Sequence, residues 1–229
     1  MREDSKADDR RPHPKAQLVV GPMFPRFGEQ EVSDDYVRLV IEASGHGSSE
    51  GYLQAWRWIV VRSHVGRKYL EASTSIKVPL SSAPVILICL ADTLAWKSTP
   101  QRLQEMVASR KITEEEGQEA LRRVREYYSS SPEVARRTAL ANAFVAVHQT
   151  LLGAAECGLS AYWVTEFDEA RVKTHFHIPD HFLVAALLPM GHTEAAPDPP
   201  LPDLPVHSFV YREKFGEAFD SHHSESPVA

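Results

Sequence analysis

The sequence predicts a single domain of the α+β or α/β class, in which a mixed β-sheet is flanked by helices. Its 229 residues are 43% hydrophobic and 24% charged, which are ordinary values for a globular chain. The apolar run 84–91 is continuous, as expected for a strand that is buried on both faces. Helical and strand-like patterns alternate along the chain and end in an arm, and this order indicates a sheet with helices around it.

The first half of the chain predicts two helices and two strands. Ser33 is a suitable N-cap for a helix that ends before Gly45, because two aspartates follow it and apolar residues recur at helical spacing. A strand is expected at 56–62, a short helix in "HVGRKYLEAS", and the buried strand at 84–91.

The second half begins with a charged helical stretch from Thr99 to about Tyr128, with a break near "KITEEEG". Pro132 suits the first turn of the next helix, which Gly158 ends. Strands at 160–165 and 182–190 enclose a short helix that starts at Asp168. The proline-rich stretch 197–205 favours an extended C-terminal arm.

Composition excludes several classes of function. A formal net charge of -6 argues against a nucleic-acid binder, and no apolar run approaches the 18 residues of a membrane span. The first residues are charged and resemble no signal peptide. Cys89 and Cys157 lie in apolar contexts and are expected to be free thiols in the cytoplasm. Disordered tails are predicted at 1–16 and 221–229, around a domain at 17–220.

Four stretches, in order, resemble the nitroreductase family of flavin enzymes. "SSEGYLQAWRWIVV" (48–61) is similar to the family's Pro-Ser-x-x-Asn-x-Gln-Pro-Trp-x-Phe segment, with Ser49, Gln54 and Trp56 matching. "SAPVILICLAD" (82–92) is similar to its second strand. "HQTLLGAAECGLSAYWVTEFDEARV" (148–172) resembles its helix, Gly-Leu-Gly turn and Trp-Ile-Thr strand, and "HIPDHFLVAALLPMGH" (177–192) resembles its closing strand.

The resemblance implies the α+β nitroreductase-like fold and a homodimer. The long helices would form the dimer interface, and the C-terminal arm would extend to the partner subunit. It also implies FMN at the subunit boundary, NADH or NADPH as electron donor, and a small flat acceptor such as a nitroaromatic or a quinone. A flavin carries its own redox chemistry, so no catalytic side chain is predicted.

A bound FMN needs partners for its ring edge, for its N5 atom and for its phosphate. The loop with Gly47 and Gly51 allows close approach of backbone to a ring, and the Gln54 carboxamide both donates and accepts. Thr165 and Glu166 stand where the family presents a backbone N–H to N5. The predicted cofactor-binding residues are Arg26, Ser49, Gly51, Tyr52, Gln54, Gln149, Thr165, Glu166 and Gly191.

The phosphate-binding motif departs from the family pattern. The family opens with Arg-Arg-Ser-x-Arg, whereas this chain has "GPMFPRF", in which only Arg26 is basic. Two alternatives therefore stand beside the enzyme: a protein that binds or sequesters a flavin without turnover, and a family member without cofactor whose pocket is closed by Tyr52, Met23 and Phe24. His175, His177 and His181 have no carboxylate or thiolate cluster beside them, so no metal site is predicted.

Overall fold

The computed structural model describes residues 26–45, 53–193 and 204–219. Within this part of the chain there are six α-helices: α1 (Asp34–Ser44), α2 (His64–Ala72), α3 (Thr99–Ala108), α4 (Glu114–Ser129), α5 (Pro132–Glu156) and α6 (Glu169–His175). The strands are β1 (Trp56–Val61), β2 (Val85–Asp92), β3 (Ser160–Ala161) and β4 (Phe182–Gly191).

The four strands form one sheet in the order β1-β2-β4-β3. The predicted α+β class is confirmed, but the expectation of a mixed sheet is wrong, because every strand pairing among the described residues is antiparallel. The reason is the position of β4, which lies between β2 and β3. These two strands run in the same direction, yet they are separated by a strand of opposite direction and never pair.

Strand β2 is buried along its whole length, as its apolar sequence predicts. Its alternate residues point to two separate cores. Leu87 and Cys89 belong to the core shared with α1 and α5, which we call the α5 side of the sheet. Ile86 and Ile88 belong to the core shared with α2 and α6, which we call the α2 side.

Helix α1 begins where the sequence predicts. The Ser33 hydroxyl accepts a hydrogen bond from the Tyr36 N–H at 3.3 Å, so Ser33 is the N-cap. The helix then packs against α5 at Gly153, where an added Cβ would come within 2.7 Å of the Ala43 Cβ. The small residues of α5 therefore allow two backbones to approach closely.

The charged stretch after β2 forms two helices, α3 and α4, rather than one long helix. Residues 109–113 form the break, and Thr113 and Glu116 make a reciprocal capping box at the start of α4. The break predicted near "KITEEEG" is confirmed.

Strand β3 is shorter than the predicted 160–165. Its register places Tyr162 opposite Pro189. The Tyr162 N–H donates to the Pro189 carbonyl at 3.4 Å, but Pro189 has no N–H to donate in return, so the pair keeps only one of its two ladder hydrogen bonds. An isolated bridge between Val164 and Leu187 resumes the pairing. After Val164 the chain leaves the sheet and forms a loop, which contacts the segment after α2 through a bridge between Thr74 and Phe167.

The described part of the C-terminal arm, 204–219, contains a 3₁₀ turn at Val206–Ser208 and a bridge between Tyr211 and Ala218. Its aromatic side chains are exposed, and Phe215 is 90% exposed. Residues 1–16, 197–203 and 221–229 lie outside the described part of the chain, so the predicted tails and the extended form of the arm stay predictions. Within the described segments, no helix has the length and apolar character needed to cross a bilayer.

Candidate functional site

The predicted site residues fall into two groups on opposite sides of the sheet. Gln54 and Gln149 lie on the α5 side, because the neighbours of Gln54 pack in that core and Gln149 is part of α5. Arg26, Thr165 and Glu166 adjoin residues of the core on the α2 side. Ser49, Gly51 and Tyr52, together with Met23 and Phe24, lie outside the described residues.

On the α2 side, the loop after Val164 is held against the segment that follows α2. The Glu166 carbonyl accepts a hydrogen bond from the Ser75 N–H at 3.1 Å, and the Asp168 N–H donates to the Ser73 carbonyl at 2.8 Å. Thr165 and Glu166 are both exposed. Neither of their amide N–H groups has an acceptor among the described residues, so both can donate to a ligand.

A cavity of about 830 Å³ adjoins this loop and is lined by Arg26, α2 and the segment after α2. The volume lies within the range of about 300–1,000 Å³ that small-molecule sites occupy. Cationic or titratable nitrogens border it on several sides, from Arg26, His64, Lys68 and Lys77. Lys68 and Lys77 are not among the site residues predicted from the sequence. Their only sequence signal is that two lysines occur in a stretch that ends beside the loop.

One carboxylate shares this cavity with the cations. Glu71 accepts a hydrogen bond from the Ser81 N–H at 2.8 Å and lies 3.5 Å from the Lys68 ammonium. Burial by itself raises the pKa of Glu71, but the hydrogen bonds from Ser81 and the charge of Lys68 outweigh it and hold the pKa below its ordinary value. The lining therefore carries three cationic side chains against one carboxylate, and it favours an anion.

Gly191 lies at the end of β4, close to Arg26, and is buried by packing. A Cβ at this position would come within 2.6 Å of the Pro84 ring and 3.1 Å of the Phe27 ring. The Gly28 N–H donates to the His192 carbonyl at 2.8 Å, which joins the N-terminal segment to the same end of the strand. Glycine at 191 thus lets the segment that carries Arg26 lie against the sheet. Its role as a cofactor contact stays a prediction.

On the α5 side, Gln54 precedes β1 between two buried residues, Leu53 and Ala55. Its backbone has a φ of 41°, which is uncommon for a residue other than glycine. The side-chain oxygen accepts a hydrogen bond from Nη1 of Arg102 at 3.1 Å. Sequence reasoning missed Arg102, because it is 48 positions away and belongs to no motif.

Gln149 is half-buried on α5, and its side chain has no hydrogen bond to another described residue. Near the same helix, Trp163 is 48% exposed and meets the ring of Phe144 edge to face, with the centroids 5.1 Å apart. The exposed ring of Trp163, backed by the half-buried ring of Phe144, lies beside the loop at Thr165 and offers a surface on which a flat molecule or another protein chain can pack.

The histidines near the start of β4 do not form a ligand cluster. The ring of His175 stacks on Tyr69 with centroids 3.8 Å apart. Over residues 26–45, 53–193 and 204–219, no group of three metal-ligating side chains is placed to hold an ion. His175 therefore packs between α6 and α2.

Comparisons with known proteins agree with this architecture. A sequence profile of the Nitroreductase family matches residues 26–192. The NADH dehydrogenase of Thermus thermophilus is 25% identical over 169 residues, which are 73% of this chain and 80% of the relative.

Two solved structures have a similar fold. The Bacillus subtilis protein ydfN, described as a nitroreductase, has a TM-score of 0.78 at 19% identity, covering 86% of this chain and 97% of that one. An Exiguobacterium sibiricum protein, described as a nitroreductase in complex with FMN, has a TM-score of 0.76 at 16% identity, covering 86% and 96%. Because the family profile spans most of its length and the fold agrees, the chain belongs to the nitroreductase family.

Proposed function

We propose that this protein binds FMN and passes electrons from NADH or NADPH to a small flat acceptor such as a nitroaromatic or a quinone. The observation that supports it best is the cation-lined cavity, in which the lining residue Ser75 donates its N–H to the Glu166 carbonyl, while the N–H groups of Thr165 and Glu166 have no acceptor among the described residues. When bound, FMN would supply the hydride and electron transfer, so the protein needs only to hold the cofactor, orient it and tune it.

The cavity offers what the phosphate of FMN requires. Arg26, Lys68 and Lys77 are cationic, and a phosphate dianion is stabilised by charge-assisted hydrogen bonds from such groups. The weak N-terminal motif is thus offset by lysines that come from α2 and the segment after it. This fit of charge and volume supports binding of FMN, whereas Tyr52, Met23 and Phe24, which would close the pocket in a family member without cofactor, lie outside the described residues.

The ring of FMN needs donors at its edge and near N5. The amides of Thr165 and Glu166 have no acceptor among the described residues, both residues are exposed, and Ser75 of the cavity lining bonds to the Glu166 carbonyl. Gln54 supplies a carboxamide, but it lies on the α5 side of the sheet, whereas the cavity lies on the α2 side. One protomer therefore does not bring the two groups of residues together.

A site shared by two protomers resolves this separation. Gln54 precedes the first residue of β1, whereas Arg26 lies beside the far end of the sheet, where Val85 pairs with Met190. A strand of six residues spans roughly 17–20 Å. In a homodimer, Gln54 of one subunit can face the cavity of the other. The exposed aromatic residues of 204–219, together with Trp163 and with Val145 of α5, provide apolar surface for that association.

The free thiols at Cys89 and Cys157 are compatible with a reducing compartment, so we also propose that the protein acts in the cytoplasm.

The test is the absorption spectrum of the purified protein before and after addition of FMN. We expect a flavin spectrum that is perturbed by binding and bleached by NADH or NADPH, with faster oxidation of the nucleotide than free FMN gives. Binding without such oxidation would favour the alternative of a flavin-binding protein without turnover. Colourless protein whose spectrum is the simple sum with added FMN would contradict the proposal.

A further inference from the structure

We infer that Arg102 is a positioning residue for Gln54, which it turns so that the carboxamide nitrogen is offered as a donor to the flavin ring. The inference rests on the proposed function and deepens it. It starts from the hydrogen bond of 3.1 Å between Arg102 Nη1 and Gln54 Oε1.

The chemistry of the two groups fixes which amide atom faces Arg102. A guanidinium has five N–H donors and no acceptor, so only the oxygen of a carboxamide can bond to it. The Gln54 nitrogen is then directed away from Arg102, and it has no acceptor among the described residues. Within the described chain, Gln54 consequently has two N–H donors without an acceptor, while its oxygen is engaged by Arg102.

The backbone of Gln54 is fixed as firmly as its side chain. Its left-handed φ is held because the Gln54 carbonyl accepts from Arg57 Nη1 at 3.2 Å, and the Asp92 N–H donates to the Ala55 carbonyl at 2.8 Å. Arg57 in turn lies 3.4 Å from the Asp92 carboxylate. With both ends restrained, the direction of the carboxamide is set before any ligand arrives.

Arg102 itself is carried by an anchored helix. Its neighbour Leu103 is buried, and the turn before α3 is fixed by the Leu94 N–H, which donates to the Asp92 carboxylate at 2.9 Å. Among the hydrogen bonds of the described residues, that of Arg102 is the one by which a side chain of α3 reaches a residue distant in sequence. Gln54 and α3 should therefore move together.

A donor-only carboxamide selects the atoms that it can meet. The pyrimidine edge of a flavin carries carbonyl oxygens, which accept such a bond, and this is the chemistry that we assign to Gln54. This positioning role differs from simple packing of α3 against the residues before β1. One substitution distinguishes positioning from packing. Gln54→Glu keeps an oxygen for Arg102, now with an opposite charge, but removes both N–H donors.

The experiment measures the dissociation constant of FMN by quenching of flavin fluorescence, and the midpoint potential of the bound flavin. We expect Arg102→Met and Gln54→Glu each to weaken FMN binding about tenfold, the effect of losing roughly one hydrogen bond. Arg102→Lys, which keeps a donor, should retain most of the affinity. Gln101→Ala is the matched control, because Gln101 is exposed on α3 and bonds only to Glu105 in the described chain.

A double-mutant cycle gives the second test. If Arg102 acts through Gln54, adding Arg102→Met to Gln54→Ala should weaken FMN binding little further. The single variants Arg102→Met and Gln54→Ala should also shift the midpoint potential of the bound flavin in the same direction. Hydrogen exchange of the protein without FMN should be faster at 53–57 in Arg102→Met than in Gln101→Ala.

Three outcomes would overturn the inference: wild-type affinity in Gln54→Glu, wild-type affinity in Arg102→Met, or additive effects in the cycle. Failure of the proposed function is distinguishable, because then the wild-type protein itself would not bind FMN. In that case the exchange measurement still decides whether Arg102 restrains the loop, and unchanged exchange would refute the restraint.

Discussion

At the scale of single residues, Lys68 and Lys77 supply positive charge that the N-terminal segment lacks. Replacing either lysine with methionine removes one charge-assisted contact to the phosphate, which is worth about 1.5–3 kcal/mol. We expect a loss near the lower value, because the cavity is open and solvent screens the charge. We expect FMN to bind roughly tenfold more weakly, with a smaller dependence on salt, in a titration followed by flavin fluorescence.

Lys111→Met is the control for this prediction, since Lys111 is an exposed lysine between α3 and α4. If Lys68→Met and Lys77→Met both bind FMN as Lys111→Met does, the phosphate is held elsewhere.

Glu166 places a carboxylate in the exposed loop that we propose to lie beside the flavin ring. A flavin gains negative charge on reduction, so a nearby carboxylate disfavours the reduced form. Glu166→Gln should raise the midpoint potential of the bound flavin by roughly 10–30 mV, measured with a reference dye, where 30 mV corresponds to about 1.4 kcal/mol. Glu169→Gln offers a comparison on the same segment, and an equal shift in both variants would argue against a local effect of Glu166.

The Glu71 carboxylate links the cavity to the stability of the fold. Its pKa is lowered by the hydrogen bonds from Ser81 and by Lys68. A folded-state pKa below the ordinary value means that the stabilisation is present above about pH 4.5 and is lost as the pH falls through the lower folded value. Glu71→Gln should remove this part of the acid sensitivity, by less than about 1 kcal/mol. Urea unfolding at pH 7 and pH 3.5 measures it, and an identical pH dependence in both proteins would contradict it.

The residues that the sequence identifies are those that stand in local motifs. Gln54, Thr165 and Glu166 occur in recognisable strand and turn patterns. Arg102, Lys68 and Lys77 do not: Arg102 bonds to a residue 48 positions away, and Lys68 and Lys77 share a cavity with Arg26, which is distant from them in sequence. Arg102 reaches Gln54 only because the fold brings α3 close to the start of β1. No sequence motif spans the 48 positions that separate the two residues.

At the scale of elements, helix ends and the buried strand β2 follow from the sequence because caps and continuous apolar runs are local signals. The sheet pairing does not. A helix between two strands suggests that they lie side by side and parallel, but β4 enters between β2 and β3 and makes every pairing of the described sheet antiparallel. The early end of β3 has a readable cause, Pro189, although its partner is known only from the register.

The contact of α1 with α5 gives a test at this scale. Alanine raises helix propensity over glycine by about 1 kcal/mol, but at Gly153 its Cβ would approach the Ala43 Cβ to 2.7 Å. Gly153→Ala should therefore destabilise the protein by about 1–3 kcal/mol in urea unfolding. The matched substitution Gly117→Ala in α4 meets the end of the Val107 side chain at 3.1 Å, and should be neutral or stabilising. Equal effects at both positions would mean that the helices separate at little cost.

At the scale of the whole molecule, much of the apolar surface is not covered by the protomer itself. Phe215 is 90% exposed and Val145 of α5 is 37% exposed. The two groups of site residues also need a way to meet across the sheet. A symmetric dimer would bury the exposed apolar surface and bring the two groups of site residues together. In a two-fold assembly each subunit can give one half-site to each of two equivalent sites.

Complementation between two defective variants tests this arrangement directly. In the proposed shared site, Gln54→Ala would damage the half-site on the α5 side and Lys68→Met would damage the one on the α2 side. When the two variants are co-expressed, half of the dimers are mixed. Each mixed dimer has one site with both defects and one intact site, so about a quarter of all sites should bind FMN with wild-type affinity.

Co-expression of Lys68→Met with Lys77→Met is the control, because both defects lie in the same half-site and no pairing of these subunits restores it. The number of tight FMN sites per protomer, from titration of the purified mixture, separates the two cases. If each protomer formed a complete site alone, both mixtures would bind as the average of their components. Restoration in the first mixture alone requires that Gln54 and Lys68 act on one ligand from different subunits, since the sheet separates them within a protomer.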